Sequence, residues 1–409
     1  MQGSSATALG NAIGRPKQPP AWGFGVWISA QGGRTAVENR VAQIQAEGIP
    51  ADAIWSQDWT GQRVNFDGGL GVQYRWRPDL TLYPDLPGFV DQLHAQGLRF
   101  LGYANPFVAS NLEHYPEMLA QDLLIRKPDG SPYLHLAPNG LSSEADLTKP
   151  AARDYVKNEL RNMATAIGMD GWMSDFGEWL PLDAVYSDRS DPVVDHNRYP
   201  IEWHRLWREV LDEVHPDGDY AVFARSGFTG VQQVSMIHWI GDQETDWSTT
   251  DGLPTVVPAL LNLGLSGVPF ATEDIGGFSG TASPPRTKEL FQRWVELGAF
   301  TPLMRTHEGA DRNNNWQWYS DAETIAHFRR FARVHQALGP ELHLLGTQAA
   351  MTSAPIVRHL MLAFPDDAGS RGVSDEFMLG ASLLVAPVVT EGVRDQRIER
   401  RLQPRHIVE

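Results

Sequence analysis

Residues 171–181 read GWMSDFGEWLP. Gly171, Trp172 and Met173 have the character of a buried strand. The chain then turns polar, and Asp175 and Glu178 sit beside Phe176 and Trp179. An apolar strand that runs out into acids and aromatic rings suits a parallel sheet covered by helices, because such proteins place their chemistry in the loops at the carboxyl ends of strands.

The same pattern repeats on both sides. Upstream lie GFGVWIS (23–29), ADAIWSQDW (51–59) and RFLGYANPFVA (99–109); downstream lie YAVFARSG (220–227), SMIHWIGDQ (235–243), PFATEDIGG (269–277) and TPLMRTHEG (301–309). Segments of helical period separate most of them, such as RTAVENRVAQIQAEG (34–48), and PAARDYVKNELRNMATAIG (150–168) with proline at its start and glycine at its end. Eight strand candidates in β–α alternation predict an α/β (β/α)8 TIM barrel over residues 23–347. The link between the fifth and sixth candidates is short and has no clear helix. A doubly wound open sheet is the structural alternative. Residues 1–22 read as a disordered tail. Past residue 348, APIVRHLMLAF and EFMLGASLLVAPVV look like strands without helices between them, the start of a C-terminal β-sandwich that is incomplete by 409, where the chain ends in the charged stretch RDQRIERRLQPRHIVE.

The chain has 409 residues and a net charge of -16. That balance argues against sequence-independent binding to nucleic acid or to an anionic membrane surface, both of which need a basic face. No signal-peptide pattern and no bilayer-length apolar run is evident. Cysteine is absent, which fits a reducing compartment and leads to the expectation of a cytoplasmic protein. Oligomeric state is not legible.

Most strand candidates end in polar or ionisable groups: Gln57 and Asp58; Asp175 and Glu178; Arg225; Asp242 and Gln243; Glu273 and Asp274; Arg305, His307 and Glu308. A single such acid is ordinarily a helix cap or an ion-pair partner. Several on one rim repel one another unless a reaction uses them. Glycoside hydrolysis does, because its transition state resembles an oxocarbenium ion flanked by two carboxyls. A Mg²⁺ site is the alternative use of the acids, and Arg225 and Arg305 on the same rim disfavour it. HExxH, Walker A and GxGxxG motifs are absent.

Four of these segments in order, GWMSDFGEWLP, HWIGDQETDW, EDIGGF and PLMRTHEG, resemble the signature segments of glycoside hydrolase family 31, the retaining α-glycosidases, over roughly residues 23–390. The resemblance implies Asp175 as nucleophile and Asp242 as general acid/base, and it implies no metal or organic cofactor, in keeping with the missing motifs. It implies Arg225, Asp58 and His307 as substrate-contacting residues, and Trp172 and Phe176 as walls of the sugar site. Glu178 falls on a position that tunes the nucleophile and binds a hydroxyl; a purely structural role is equally open. Asp274 ends the seventh strand candidate and is counted with the substrate-binding rim. The branch most similar is that of the sulfoquinovosidases, which release sulfoquinovose from small-molecule α-glycosides. Gln31 and Gln57 fall on that branch's two sulfonate-pocket glutamines. The branch then carries Arg-x-x-Trp, whose Arg grips the sulfonate; here GGLGVQYRW places Gly71 and Tyr74 at those positions, with Arg75 next. The resemblance thus implies substrate contacts from Tyr74 and Arg75, and a sulfonate site resting on Gln31, Gln57 and Arg75, with Arg63 just upstream as the alternative cation. Phe278 stands where the branch has Tyr. The family's N-terminal β-sandwich is not found in the sequence. The alternatives are a neutral-sugar α-glucosidase of the same family and a non-catalytic carbohydrate-binding barrel.

Overall fold

The structure is a computed structural model that describes residues 2–64, 70–279 and 284–395. Eight short, buried runs become strands: β1 (Val26–Ser29), β2 (Ala53–Trp55), β3 (Arg99–Ala104), β4 (Gly171–Ser174), β5 (Ala221–Ala224), β6 (Ile237–Trp239), β7 (Ala271–Thr272) and β8 (Met304–Arg305). They form one sheet in the order β7-β6-β5-β4-β3-β2-β1-β8. A parallel bridge between Ile275 and Thr306, just beyond β7 and β8, joins the two ends of that order. The fold is therefore the (β/α)8 barrel expected, with the expected irregularity: between β5 and β6 there is only the 3-10 turn Val231–Gln233.

One compact unit comprises Ala30–Arg40 and Ile54–Met236. In it β4 pairs in parallel with β3 (Leu101↔Gly171) and with β5 (Ala221↔Gly171). Gly171 has φ 147°, and a Cβ there would lie 1.7 Å from the Ala221 carbonyl oxygen, so only glycine lets β4 and β5 approach this closely. The helix Pro150–Thr165 starts on proline and buries Val156, Leu160 and Met163. The helix Pro192–Val214 is capped by the Asp191 side chain on the Val193 N–H and buries Trp203, Trp207 and Leu211.

The other unit comprises Met1–Ser29, Val41–Ala53 and Ile237–Glu409. Here β1 pairs with β8 (Trp27↔Arg305) and β6 with β7 (Trp239↔Thr272), both parallel. The sequence reading needs three corrections here. Residues 1–22 are not all a loose tail: Gln2–Ile13 is a helix. Its Gly10 lies against Ser353, and its Leu9 and Ile13 lie against Gly267, contacts supplied by remote parts of the chain. The last barrel helix, Ala322–Thr352, passes through Pro340 and crosses the expected boundary at 347. The segment APIVRHLMLAF makes only a two-residue strand, Val357–Arg358, before a helical turn at Leu360–Ala363. That strand pairs antiparallel with Phe377–Leu379, which pairs with Leu383–Val385. Residues 396–409, most of the charged end, lie outside the described residues. No helix among the described residues is long and apolar enough to cross a membrane.

Candidate active site

Asp175 follows β4 directly, and its N–H is bonded to the Ala104 carbonyl at the end of β3 (2.9 Å). The carboxylate is 7% exposed. Oδ2 accepts from the Tyr103 hydroxyl at 2.7 Å. Oδ1 accepts from the Phe176 N–H at 2.9 Å and lies 3.4 Å from Arg225 Nη1. Burial pushes the carboxyl above its ordinary pKa; Arg225 and the Tyr103 hydroxyl pull it back, while the neighbouring Glu178 pushes it up. Arg225, at the end of β5, also bonds Glu178 through Nε (2.9 Å) and Nη2, and its guanidinium lies 4.0 Å over the Phe176 ring. Glu178 therefore holds Arg225 in place.

The turn that allows this is strained. Phe176 has φ 56° and Gly177 φ 112°. The left-handed conformation costs a side-chain-bearing residue about 1–2 kcal/mol, and the Ser226 hydroxyl bonded to the Phe176 carbonyl (2.6 Å) holds it there. An aromatic wall flanks the acid. Tyr74 stacks on Phe107 at 5.6 Å and 10°, Phe107 meets Phe176 at 4.9 Å, and Trp179 stands edge-on to Phe176 at 5.9 Å. Trp172 is fully buried in β4, and its indole N–H has no partner among the described residues.

The structure sorts the remaining candidates of this unit. Asp58 is saturated by the chain itself: it accepts from Gly32 N–H (2.8 Å), Gln62 Nε2 (2.5 Å), Ser56 Oγ (3.0 Å) and Tyr83 Oη (2.5 Å). It anchors the loop that carries Gln31, and reaches a substrate only by giving up one of these bonds. Gln31 Nε2 lies 3.4 Å from Gln57 Oε1, so the two amides adjoin, and Gln57 is buried. Arg75 is engaged elsewhere. Its Nε donates to the Arg77 carbonyl (3.1 Å) and lies 3.3 Å from Glu113, and its Nη2 donates to the Pro78 carbonyl (2.9 Å).

In the other unit, Asp242 follows β6 and is half-buried, after Gly241 at φ 110°. Its loop is tied to the EDIGGF segment: the Phe278 and Ser279 N–H groups donate to the Gln243 carbonyl at 2.9 and 3.0 Å. Asp274 and Arg305 are both 0% exposed and meet at 2.5 Å, so Asp274 faces Arg305 rather than solvent. Glu273 is equally buried, and burial next to a single arginine shared with Asp274 pushes its carboxyl up to about 8. His307 Nδ1 accepts from the Gly309 N–H (2.8 Å), which places its proton on Nε2. Burial lowers its pKa to about 4, so the ring is neutral, and it packs edge-on to Phe278 at 4.9 Å.

Two positioning residues escaped the sequence reading. Tyr103 looked like one aromatic among several in a strand. Arg286, in SPPRTKEL, was not among the candidates, yet it is 2% exposed. Its guanidinium donates to the carbonyls of Ile275, Gly277, His307, Glu308 and Trp316, clasping the loop after Asp274 to the loop of His307. No local pattern announces such an arginine, because all but one of its partners lie more than ten residues away.

Among the described residues one group of side chains has metal-ligand character: His114, Glu117 and Glu159. Arg77 already sits among them, bonded to both Glu117 oxygens (2.8 Å each) and to Glu159 (2.6 Å). A guanidinium thus occupies the place of a cation.

An eight-stranded barrel with carboxylates at its strand ends and an aromatic wall beside one of them is a TIM barrel of the glycosidase type. The chain belongs to glycosyl hydrolase family 31: the family's TIM-barrel domain matches residues 16–344 and its C-terminal domain residues 353–399. It is similar to the sulfoquinovosidase of Escherichia coli K12, 37% identical over 94% of this chain and 56% of that protein. It is likewise similar to that of Agrobacterium fabrum, 36% identical over 94% of this chain and 58% of that protein. A solved family 31 sulfoquinovosidase from E. rectale, in complex with an aza-sugar inhibitor, superposes with a TM-score of 0.93 at 33% identity, covering 96% of this chain and 59% of that one. The chain thus spans somewhat over half the length of these relatives.

Proposed function

We propose that this chain is the catalytic part of a retaining α-glycosidase that releases sulfoquinovose, or a closely related α-linked sugar, by double displacement. Asp175 attacks the anomeric carbon while Asp242 protonates the departing oxygen; Asp242 then takes a proton from the water that hydrolyses the glycosyl ester. The observation that carries the reading is the environment of Asp175. A nucleophile must be ionised, and burial disfavours the ionised form of this carboxyl. Arg225 at 3.4 Å and the Tyr103 hydroxyl at 2.7 Å favour the anion. Both contacts also leave the carboxylate fixed in orientation, which favours attack from one geometry. His307, neutral with its proton on Nε2, is suited to donate to a sugar hydroxyl, and the rings around Phe176 are suited to face a pyranose and keep water from the ester.

The relatives' names support sulfoquinovose as the sugar. One observation favours the neutral-sugar reading instead: Arg75, the cation expected for the sulfonate, is held by Glu113 and two carbonyls. Turnover of two nitrophenyl α-glycosides, one with a C6 sulfonate and one with a C6 hydroxyl, separates them. Preference for the sulfonate supports the reading, and preference for the hydroxyl replaces it with an α-glucosidase. Sugar binding without turnover of either points to a non-catalytic barrel.

A further inference from the structure

The geometry points to His204 as a positioning residue for the proposed nucleophile, acting through Ser226 on the left-handed turn that presents Asp175. This inference rests on the proposed function and names a residue that serves it from behind the site. Asp175 leaves β4 straight into that turn, with Phe176 at φ 56° and Gly177 at φ 112°. A residue with a Cβ holds a positive φ only where its surroundings enforce it. Two groups do so here. The Ser226 hydroxyl donates to the Phe176 carbonyl at 2.6 Å. Gly177 lies against both Ser226 and the helix Pro192–Val214: a Cβ on it would stand 3.0 Å from Ser226 Oγ and 3.4 Å from Pro200 Cα. Phe176 in turn serves the acid twice. Its N–H donates to Asp175 Oδ1 at 2.9 Å, and its ring carries the Arg225 guanidinium at 4.0 Å.

Ser226 is itself held from the helix. His204 is fully buried, and its Nε2 lies 2.9 Å from the Ser226 carbonyl oxygen. The tautomer follows from the other ring nitrogen. The Trp207 indole N–H, which can only donate, lies 3.1 Å from Nδ1. Nδ1 therefore accepts, and the ring proton sits on Nε2, where it is donated to Ser226. Trp203 Nε1 donates to Ser174 Oγ at 2.9 Å, and that hydroxyl lies 3.4 Å from the same Nδ1. Burial lowers the His204 pKa to about 4, so the ring is neutral above that pH and keeps this tautomer. Trp207, His204, Ser226 and Phe176 are all buried, which shields the bonds between them from water. A buried histidine on a helix is ordinarily a packing residue. This one directs the one N–H of its ring at the residue that follows Arg225 and grips the turn. Losing that donor frees the Ser226 backbone; losing the Ser226 hydroxyl frees the Phe176 carbonyl.

The test compares Ser226→Ala, His204→Leu and His204→Gln with the unchanged protein on a nitrophenyl α-glycoside that it hydrolyses. Ser226→Ala and His204→Leu are each expected to lower kcat by about tenfold to a hundredfold, the range for a catalytic group displaced by a remote change, with KM nearly unchanged. His204→Gln, whose amide can donate to the same carbonyl, is expected to restore most of kcat although it lacks the ring that Trp207 bonds. A lower melting temperature with kcat unchanged in Ser226→Ala and His204→Leu would make these residues merely structural and overturn the assignment. Equal losses in His204→Leu and His204→Gln would overturn it as well. Should His204→Leu fail to fold, Ser226→Ala, which removes a single oxygen, decides the matter. Carbon-13 titration of the Asp175 carboxyl, assigned by its absence in Asp175→Asn, asks the same question without a substrate. A loosened turn draws the Phe176 N–H away from Oδ1, so the titration midpoint should rise in Ser226→Ala and His204→Leu and return in His204→Gln. An unmoved midpoint in folded Ser226→Ala refutes the assignment. If no glycoside is turned over at all, the proposed function fails, and the titration still decides whether His204 and Ser226 hold Asp175.

Discussion

Changing Tyr103 to Phe removes a single oxygen and keeps the ring that packs against Tyr74. That oxygen donates to Asp175 at 2.7 Å and accepts from Asn105 Nδ2 at 3.1 Å. A hydrogen bond to a charged group contributes about 1.5–3 kcal/mol, and one pKa unit corresponds to about 1.4 kcal/mol. Loss of the bond should therefore raise the Asp175 pKa by about one to two units above its already raised value. The sign follows from the proposed mechanism: a nucleophilic Asp175 attacks only when ionised, so activity would rise with pH through its pKa, and a higher pKa would move that rise to higher pH. The assay is the pH profile of kcat/KM with a nitrophenyl glycoside, in which the acid limb should move up by that amount for Tyr103→Phe. A second consequence is structural, because the Asn105 amide is left buried without its acceptor at a cost of about 1–3 kcal/mol. The melting temperature should fall by a few degrees while the alkaline limb stays in place. An acid limb that does not move would refute the claim that Tyr103 stabilises the ionised nucleophile.

Asp242→Asn should slow glycosides with poor leaving groups far more than nitrophenyl glycosides, since an activated group departs without a proton; equal losses would move the acid role to another residue. Glu273 should make stability fall with rising pH. Its folded pKa, about 8 against an ordinary 4.5, means the native state binds the extra proton between those values, so stability is present at pH 4.5 and is lost as pH rises through 8. Glu273→Gln removes this dependence, and denaturant midpoints at pH 5 and 9 should show the variant gaining on the unchanged protein by a few kcal/mol over that span. Parallel behaviour of the two proteins would mean that Glu273 is ionised in the fold.

The barrel was legible because each strand is a short apolar run with a chemical change at its end, and those ends are where the catalytic candidates stand. The break in helix alternation between β5 and β6 was legible for the same local reason. Properties created by distant contacts were not. The N-terminal helix forms against Gly267 and Ser353, and nothing in MQGSSATALGNAI announces those partners. The four donors that hold Asp58 could not be read from the sequence either. Arg75 shows the limit most clearly: the sequence sets it beside the missing motif with Arg63 as the alternative, and only the fold shows it held by Glu113 and two carbonyls.

The central claim, a covalent double displacement at Asp175, is tested most directly by trapping its intermediate. The protein is incubated with a fluorinated glycosyl fluoride of the sugar it hydrolyses, a reagent that forms the glycosyl ester quickly and releases it slowly, and is then digested for peptide mass spectrometry. The account predicts one added glycosyl mass on the peptide containing GWMSDFGEW, located at Asp175, and no label in Asp175→Asn. A label on another residue, or turnover of substrate with no labelled peptide at all, would contradict it.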